Sequence, residues 1–140
     1  MGGWQTWALL SAVFAALTAV LAKLGVDEIP PNLATLLRTL VVVGVLGLLV
    51  LATGEHRGWR AISPRGAAFL AASGLATGAS WLCYFRALRL GTASQVAPLD
   101  KLSVVLVAVL GALFLGERLS DTGWLGIALI TVGAVLVAVR

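Results

Sequence analysis

The chain has 140 residues, of which 60% are hydrophobic and 11% charged, and it carries a formal net charge of +4 at neutral pH. This length allows one domain, and the small share of charged residues excludes an ordinary water-soluble globular protein. The basic residues stand singly rather than in a run or an amphipathic stripe. The positive charge therefore does not indicate a nucleic-acid-binding protein, and the composition indicates an integral membrane protein.

Five apolar stretches fill most of the chain, each close to the roughly 20 residues that a helix needs to cross the hydrocarbon layer. Inside lipid only helices and closed barrels satisfy their backbone groups, and no stretch alternates with the period of two that a barrel strand requires. We therefore predict an all-α integral membrane bundle of five transmembrane helices in a single domain, residues 1–140. The predicted spans are about residues 4–23, 32–53, 66–88, 94–115 and 122–139.

Short connectors separate the spans, which makes consecutive helices antiparallel neighbours. In the first connector Pro30 and Pro31 cannot continue a helix, and Asn32 fits the N-cap of the second span. Trp59, in the long polar second connector, suits an anchor at the membrane interface. The connectors occupy residues 25–31, 54–64, 91–94 and 116–121.

Residues that bind metals or perform catalysis are scarce. His56 is the only histidine and falls in a polar connector, and Cys83 is the only cysteine and lies in the third span as a small apolar residue. Neither has a second ligand nearby, and no nucleophile and base form a recognisable constellation. We predict no metal, no cofactor and no enzymatic activity.

Glycines mark surfaces where helices approach closely in lipid. Gly74 and Gly78 form a GxxxG pattern in the third span, and Gly126 and Gly133 share one face of the fifth. We predict a helix-packing role for all four. Packing inside one bundle and packing between subunits both remain open.

Ionisable residues inside the spans are candidates for a functional site, because charge is costly in lipid. Since the spans alternate in direction, all of these residues fall near the same membrane face. Arg38 lies about six residues, or ~9 Å, into its span, and Asp100 lies equally deep in the fourth. The spacing predicts a polar vestibule with a net positive charge. Its candidate residues are Lys23, Arg38, Arg86, Asp100 and Lys101.

Simpler explanations exist for some of these charges. Lys23 and Arg86 lie near span ends, from which long basic side chains reach the headgroups. Pro98 at the first position of the fourth helix would leave Asp100 in the first turn, where it favours the helix dipole. We favour an interior role for Arg38 and Asp100. Asp100 then pairs with Arg38, Arg86 or Lys101, because an unpaired charge at that depth is costly.

Several stretches resemble the EamA domain of the drug/metabolite transporter superfamily. They are YFRAL at 84–88, ASQVAPL at 93–99, FLGERLS at 114–120 and GIALI at 126–130 followed by Gly133. Arg38, after Leu36 and Leu37, also matches the pattern. The resemblance covers essentially the whole chain, and the Gly-Glu-Arg sequence is its most specific part.

The resemblance implies one five-span unit of the bacterial and archaeal branch, located in the plasma membrane. Two such units fused in tandem form an inverted repeat, so a single unit recreates that geometry as an antiparallel homodimer. Basic residues are nearly balanced between the two predicted faces, which permits both orientations. The family's four-span relatives bind cations through a glutamate in the first span, but residues 4–21 contain no acidic residue.

These observations favour a secondary transporter of small metabolites. The positive vestibule favours anionic, zwitterionic or amino-acid-like solutes, and Trp81 and Tyr84 are candidates for an aromatic wall of the pathway. Two alternatives remain open: a flippase for a lipid-linked head group, and an accessory membrane subunit without transport of its own. Solute transport by the purified protein distinguishes the accessory subunit from the other two.

Overall fold

The computed structural model describes residues 3–139, apart from the side chain of residue 60. These residues form no strand, and the predicted all-α fold is confirmed. A 3₁₀ helix, Glu55–Ala61, occupies most of the second connector, and a π-helical turn covers Gly111–Leu115. The α-helices are α1 (Gly3–Glu28), α2 (Pro31–Thr53), α3 (Pro64–Leu90), α4 (Ala93–Asp100), α5 (Ser103–Leu110) and α6 (Asp121–Ala138).

Among residues 3–139, five helical segments are long and apolar enough to cross a membrane, and they include the segment that runs from α4 through the π-helical turn. Most of their large apolar side chains are exposed on the isolated chain; Leu75, for example, is 78% exposed and Phe114 79% exposed. In water such a surface would aggregate, whereas lipid solvates it. The chain is an integral, multi-pass membrane protein.

The first helix is longer than predicted. It continues past Lys23 to Glu28, so Lys23 lies inside the helix and not at its end. Asn32 is not the N-cap of α2: Pro30 takes that place, with φ −53° and ψ 136°, and Pro31 is the first helical residue. Proline suits this position because its fixed φ is helical and its missing N–H would have had no partner there.

A two-residue turn at Lys101 and Leu102 interrupts the regular α-helix of the fourth span, although both residues keep right-handed helical dihedrals and residues 93–115 remain one helical segment. We call this turn the break. Pro98 lies inside α4, and a proline there lacks a donor and crowds the carbonyl four residues earlier. After it the hydrogen bonds mix the α and 3₁₀ patterns: Lys101 N donates to Ala97 O at 3.3 Å and to Pro98 O at 3.1 Å, and Val104 N donates to Lys101 O at 3.0 Å. Proline thus weakens the turn of α4 that leads into these residues.

The alternative in which Pro98 begins the fourth helix is wrong. The N-cap of α4 is Thr92, with φ −82° and ψ 150°, and the helix starts at Ala93. Asp100 therefore lies in the last turn of α4, not the first. A carboxylate at a helix C-terminus opposes the helix dipole, so the dipole does not explain Asp100.

The span ends in a turn that requires glycine. The N–H groups of Gly116 and Glu117 both bond to the carbonyl of Gly111, and Gly116 adopts the left-handed φ of +68°. The Glu117 carboxylate folds back against Gly111, where an added Cβ would lie 2.8 Å from Oε2. Ser120 then caps α6 by accepting a hydrogen bond of 3.2 Å from the N–H of Gly123.

Two compact units make up the chain, residues 24–89 and residues 1–23 with 90–140. In the 24–89 unit the buried residues lie at the end of α1, the start of α2 and the end of α3; they are Val26, Ala34, Thr35, Phe85 and Leu88. In the other unit α6 contacts α4 and α5. The buried residues there are small, namely Ala19, Ala108, Gly111 and Ala134, and small residues let helix backbones approach in lipid.

Candidate functional site

The most distinctive group in the 24–89 unit is the guanidinium of Arg38 on α2. Arg38 lies seven residues after Pro31, which corresponds to about 10 Å along the helix. Two threonines flank it, and both satisfy their hydroxyls within α2: Thr35 bonds to Pro31 O at 2.8 Å and Thr39 to Thr35 O at 2.7 Å. Both threonine hydroxyls therefore have hydrogen-bond acceptors within α2, and Arg38 is the charged side chain between them.

Two aromatic rings on α3 hold this guanidinium. Its Cζ lies 4.2 Å from the ring centroid of Trp81 and 5.6 Å from that of Phe85. Trp81 and Phe85 are four residues apart, so both rings project from one face of α3. Tyr84 lies edge-on to Phe85, with centroids 6.5 Å apart, and is close enough to interact electrostatically with Arg38. We call the rings of Trp81 and Phe85 the aromatic cage of Arg38.

The contact between the cage and Arg38 brings together two residues that the sequence singled out, Arg38 and Trp81. Sequence reasoning paired Trp81 with Tyr84 as an aromatic wall and missed Phe85. The sequence did contain a signal for Phe85, because positions four apart on a helix share a face as closely as positions three apart. Phe85 is only 2% exposed, so it also anchors the core of its unit.

A second arginine on α3 has a structural task. Nη1 of Arg89 donates to Val26 O at 2.6 Å and to Ile29 O at 3.2 Å. The last carbonyls of a helix have no intrahelical partner, so Arg89 satisfies groups at the end of α1 and ties that end to α3. Arg86, one turn earlier, is exposed within the same unit.

We call the two hydrogen bonds from Arg89 to the end of α1 the Arg89 clamp, and their loss is expected to destabilise the protein. Arg89→Ala removes two hydrogen bonds from a charged donor at a partly solvated site, and we expect a loss of about 1 kcal/mol in unfolding free energy. Thermal unfolding in detergent measures the loss. Arg57→Ala, which removes an exposed arginine in the 3₁₀ helix, is the matched control and is expected to leave the transition unchanged. Equal stability of the two variants would contradict the clamp.

The break in the fourth span carries an ion pair. Lys101 Nζ lies 3.6 Å from Asp100 Oδ2, and their side chains are 57% and 38% exposed. Exposed pairs between neighbours contribute little to stability in water. In a membrane span, however, a charged pair is expensive, which makes Asp100 and Lys101 candidates for a functional position. Pairing of Asp100 with Arg38 or Arg86 stays a prediction.

The glycines singled out by the sequence leave open surfaces. For Gly74 and Gly78, no atom of the 24–89 unit comes within 4 Å of an added Cβ, and the same holds for Gly126 and Gly133 within their own unit. The helix-packing role of these residues stays a prediction. Among the described residues, no three His, Cys, Asp or Glu side chains form a cluster suited to a metal, and Cys83 is exposed.

Comparison with known proteins gives one family and two curated relatives. The model of the EamA-like transporter family matches residues 2–139. A Sinorhizobium sp protein named an uncharacterized transporter in the cobO 3′ region is 60% identical over 136 residues, which cover 97% of this chain and 96% of the relative. The uncharacterized transporter YxxF of Bacillus subtilis (strain 168) is 31% identical over 142 residues, which cover 100% of this chain but 44% of YxxF. No solved structure gives a significant match.

Proposed function

The chain belongs to the EamA-like transporter family, and on that basis we propose that it is a secondary transporter of small metabolites. It works by alternating access in a bacterial or archaeal plasma membrane, and its working unit is an antiparallel homodimer. The protein has no enzymatic step of its own. The residues that line the pathway are Arg38, Trp81, Tyr84, Arg86, Asp100 and Lys101.

The observation that carries this proposal is the break in the fourth span. Secondary transporters use discontinuous helices to bring polar groups and freed backbone groups into the membrane interior. Here α4 ends at Asp100 and α5 starts at Ser103, with Asp100 and Lys101 at the interruption. A purely structural membrane subunit gains nothing from two charged side chains at this turn, because charge in lipid is costly.

The antiparallel dimer is supported by length and by the number of spans. This chain covers 44% of YxxF, so that relative has room for a second unit. Fusing two units with an odd number of spans inverts the second, which produces the inverted repeat used in alternating access. A second copy of this chain in the opposite orientation would form the same inverted arrangement. The open glycine faces of α3 and α6 offer surfaces for that contact.

Transport by the purified protein tests the function. The chain is reconstituted into liposomes loaded with a mixture of unlabelled amino acids and carboxylates, and uptake of each labelled solute is followed by counterflow. We expect saturable exchange of at least one solute. Absence of exchange for every solute, with exchange appearing only beside a partner protein, would favour an accessory subunit. Movement of a labelled lipid head group between leaflets would favour a flippase.

Cross-linking tests the dimer. In a Cys83→Ser background, Ser94→Cys and Leu115→Cys are placed separately at opposite ends of the fourth span, in differently tagged copies that are expressed together. Both positions are exposed on the isolated chain. An antiparallel dimer is expected to link Ser94→Cys of one copy to Leu115→Cys of the other. Links between two copies of the same variant alone would indicate a parallel dimer and exclude the antiparallel one.

A further inference from the structure

The two rings of the aromatic cage attract the charge of the Arg38 guanidinium. Trp81 and Phe85 contact the guanidinium through their rings, which accept no conventional hydrogen bond. Within the described part of the 24–89 unit, the Arg38 guanidinium lies against these two rings and close to Tyr84. A guanidinium has five N–H donors arranged in a plane, and the two rings do not satisfy them.

The position of the guanidinium argues against simple extension to the headgroups. The ring nearer to the guanidinium is that of Trp81, at 4.2 Å, while Phe85 is at 5.6 Å. Trp81 lies nine residues before the end of α3, or about 14 Å along the helix, whereas Phe85 lies only about 8 Å from that end. The deeper ring therefore holds the charge. Arg89, in the last turn, marks the level of the helix end itself.

A cation held at this depth needs acceptors for its donors. Unsatisfied N–H groups are costly in an apolar medium, and the cage supplies attraction to the charge but no acceptor. A carboxylate or phosphate matches the rim of a guanidinium with two parallel hydrogen bonds. Contact with a rigid indole also restricts the position of the guanidinium, so the site is partly organised before a ligand arrives.

We propose that Arg38 is the binding site for the carboxylate or phosphate group of a small anionic or zwitterionic solute, oriented by Trp81 and Phe85. This assignment names the substrate class and rests on the proposed transport function. Trp81 holds the guanidinium in position, Phe85 supports it from the core, and the solute's oxyanion accepts hydrogen bonds from the guanidinium N–H groups.

Fluorescence of Trp81 tests the site without requiring transport. The full chain is prepared in detergent free of phospholipid, with Trp4, Trp7, Trp59 and Trp124 each replaced by Phe so that Trp81 alone reports. Acetate and inorganic phosphate are titrated at constant pH and ionic strength against sodium chloride. We expect a saturable change in emission with at least one of the two anions. A response that follows sodium chloride alone would overturn the proposal.

Variants then assign the response to Arg38. We expect Arg38→Gln to weaken binding by about 10- to 100-fold, because a bidentate charged hydrogen bond is lost. Arg57→Gln removes the same charge from an exposed position and is expected to leave binding unchanged. If Arg38→Gln does not fold, Arg38→Lys tests the assignment instead. Lysine keeps the positive charge but lacks the two parallel N–H donors of the guanidinium, so binding should fall by about 3- to 10-fold. Unchanged binding in Arg38→Lys together with unchanged binding in any folded Arg38→Gln would refute the assignment.

A lipid phosphate is the competing source of the same chemistry. The single-Trp protein is therefore also placed in nanodiscs of phosphatidylcholine alone and of phosphatidylcholine with phosphatidylglycerol. A response of Trp81 to phosphatidylglycerol, with none to acetate or phosphate in detergent, would assign Arg38 to headgroup binding and overturn the proposal. Anion binding without any transport would contradict the proposed function only. Transport limited to neutral or cationic solutes, without anion binding, would contradict this assignment only.

Discussion

Asp100→Asn is expected to abolish transport while leaving the protein folded. The substitution keeps the shape of the side chain and removes its charge from the break between α4 and α5. We expect a fall in transport rate of at least about 100-fold, equivalent to about 2.7 kcal/mol in the transition state. Stability should not fall by a similar amount, because a charged carboxylate inside a span costs free energy on insertion and asparagine removes that charge. Counterflow uptake and thermal unfolding, measured on the same preparation, separate the two effects.

The controls for this experiment lie in the same chain. Asp121→Asn removes a carboxylate from the first turn of α6, where it is exposed and only favours the helix dipole. Its effect should be limited to about 0.3 to 1 kcal/mol of stability. The double variant Asp100→Asn with Lys101→Gln also removes the partner charge at 3.6 Å. If the pair serves only folding, the double variant should transport normally, and that result would remove Asp100 from the pathway.

Hydropathy and connector composition were sufficient to predict the five spans, because lipid restricts the possible structures so strongly. The exact ends of the helices were harder. Nothing local to Lys23 stops a helix, and α1 continues to Glu28 until the prolines at 30 and 31 interrupt it. The clamp by Arg89 was equally hidden, because the carbonyls of Val26 and Ile29 need a donor only once α1 extends that far.

The break in the fourth span was undecided in the sequence because proline has two compatible positions in a helix. At the first helical position its missing N–H costs nothing, while inside a helix it interrupts the ladder. The residue that decides between them is Thr92, because it is the N-cap of α4 and lies six residues before Pro98. The aromatic cage shows a related limit: one-turn spacing identified Trp81 but did not choose between Tyr84 and Phe85 as its companion.

Pro98→Ala is expected to separate stability from transport. Alanine restores the donor that proline lacks and removes the crowding against the preceding turn. We expect this stronger turn to extend the regular α-helical hydrogen bonds of α4 into α5. Relative to alanine, an interior proline costs about 3 kcal/mol in helix formation. Packing of α6 against α4 and α5 limits how much of this is recovered. We therefore expect stability to be equal or higher, with transport at least about 10-fold slower.

The control is Pro64→Ala, because Pro64 is the first residue of α3, where proline is tolerated and its loss changes little. Hydrogen exchange reads the structural effect directly: in Pro98→Ala the amides from Lys101 to Val105 should become more protected as the 3₁₀ bonds at this point give way to a continuous α-helical ladder. Greater protection with undiminished transport would show that the break is dispensable for alternating access. Loss of transport with greater protection would instead show that transport requires the break. A regular fourth helix would then fail because it does not give Asp100 and Lys101 the same positions.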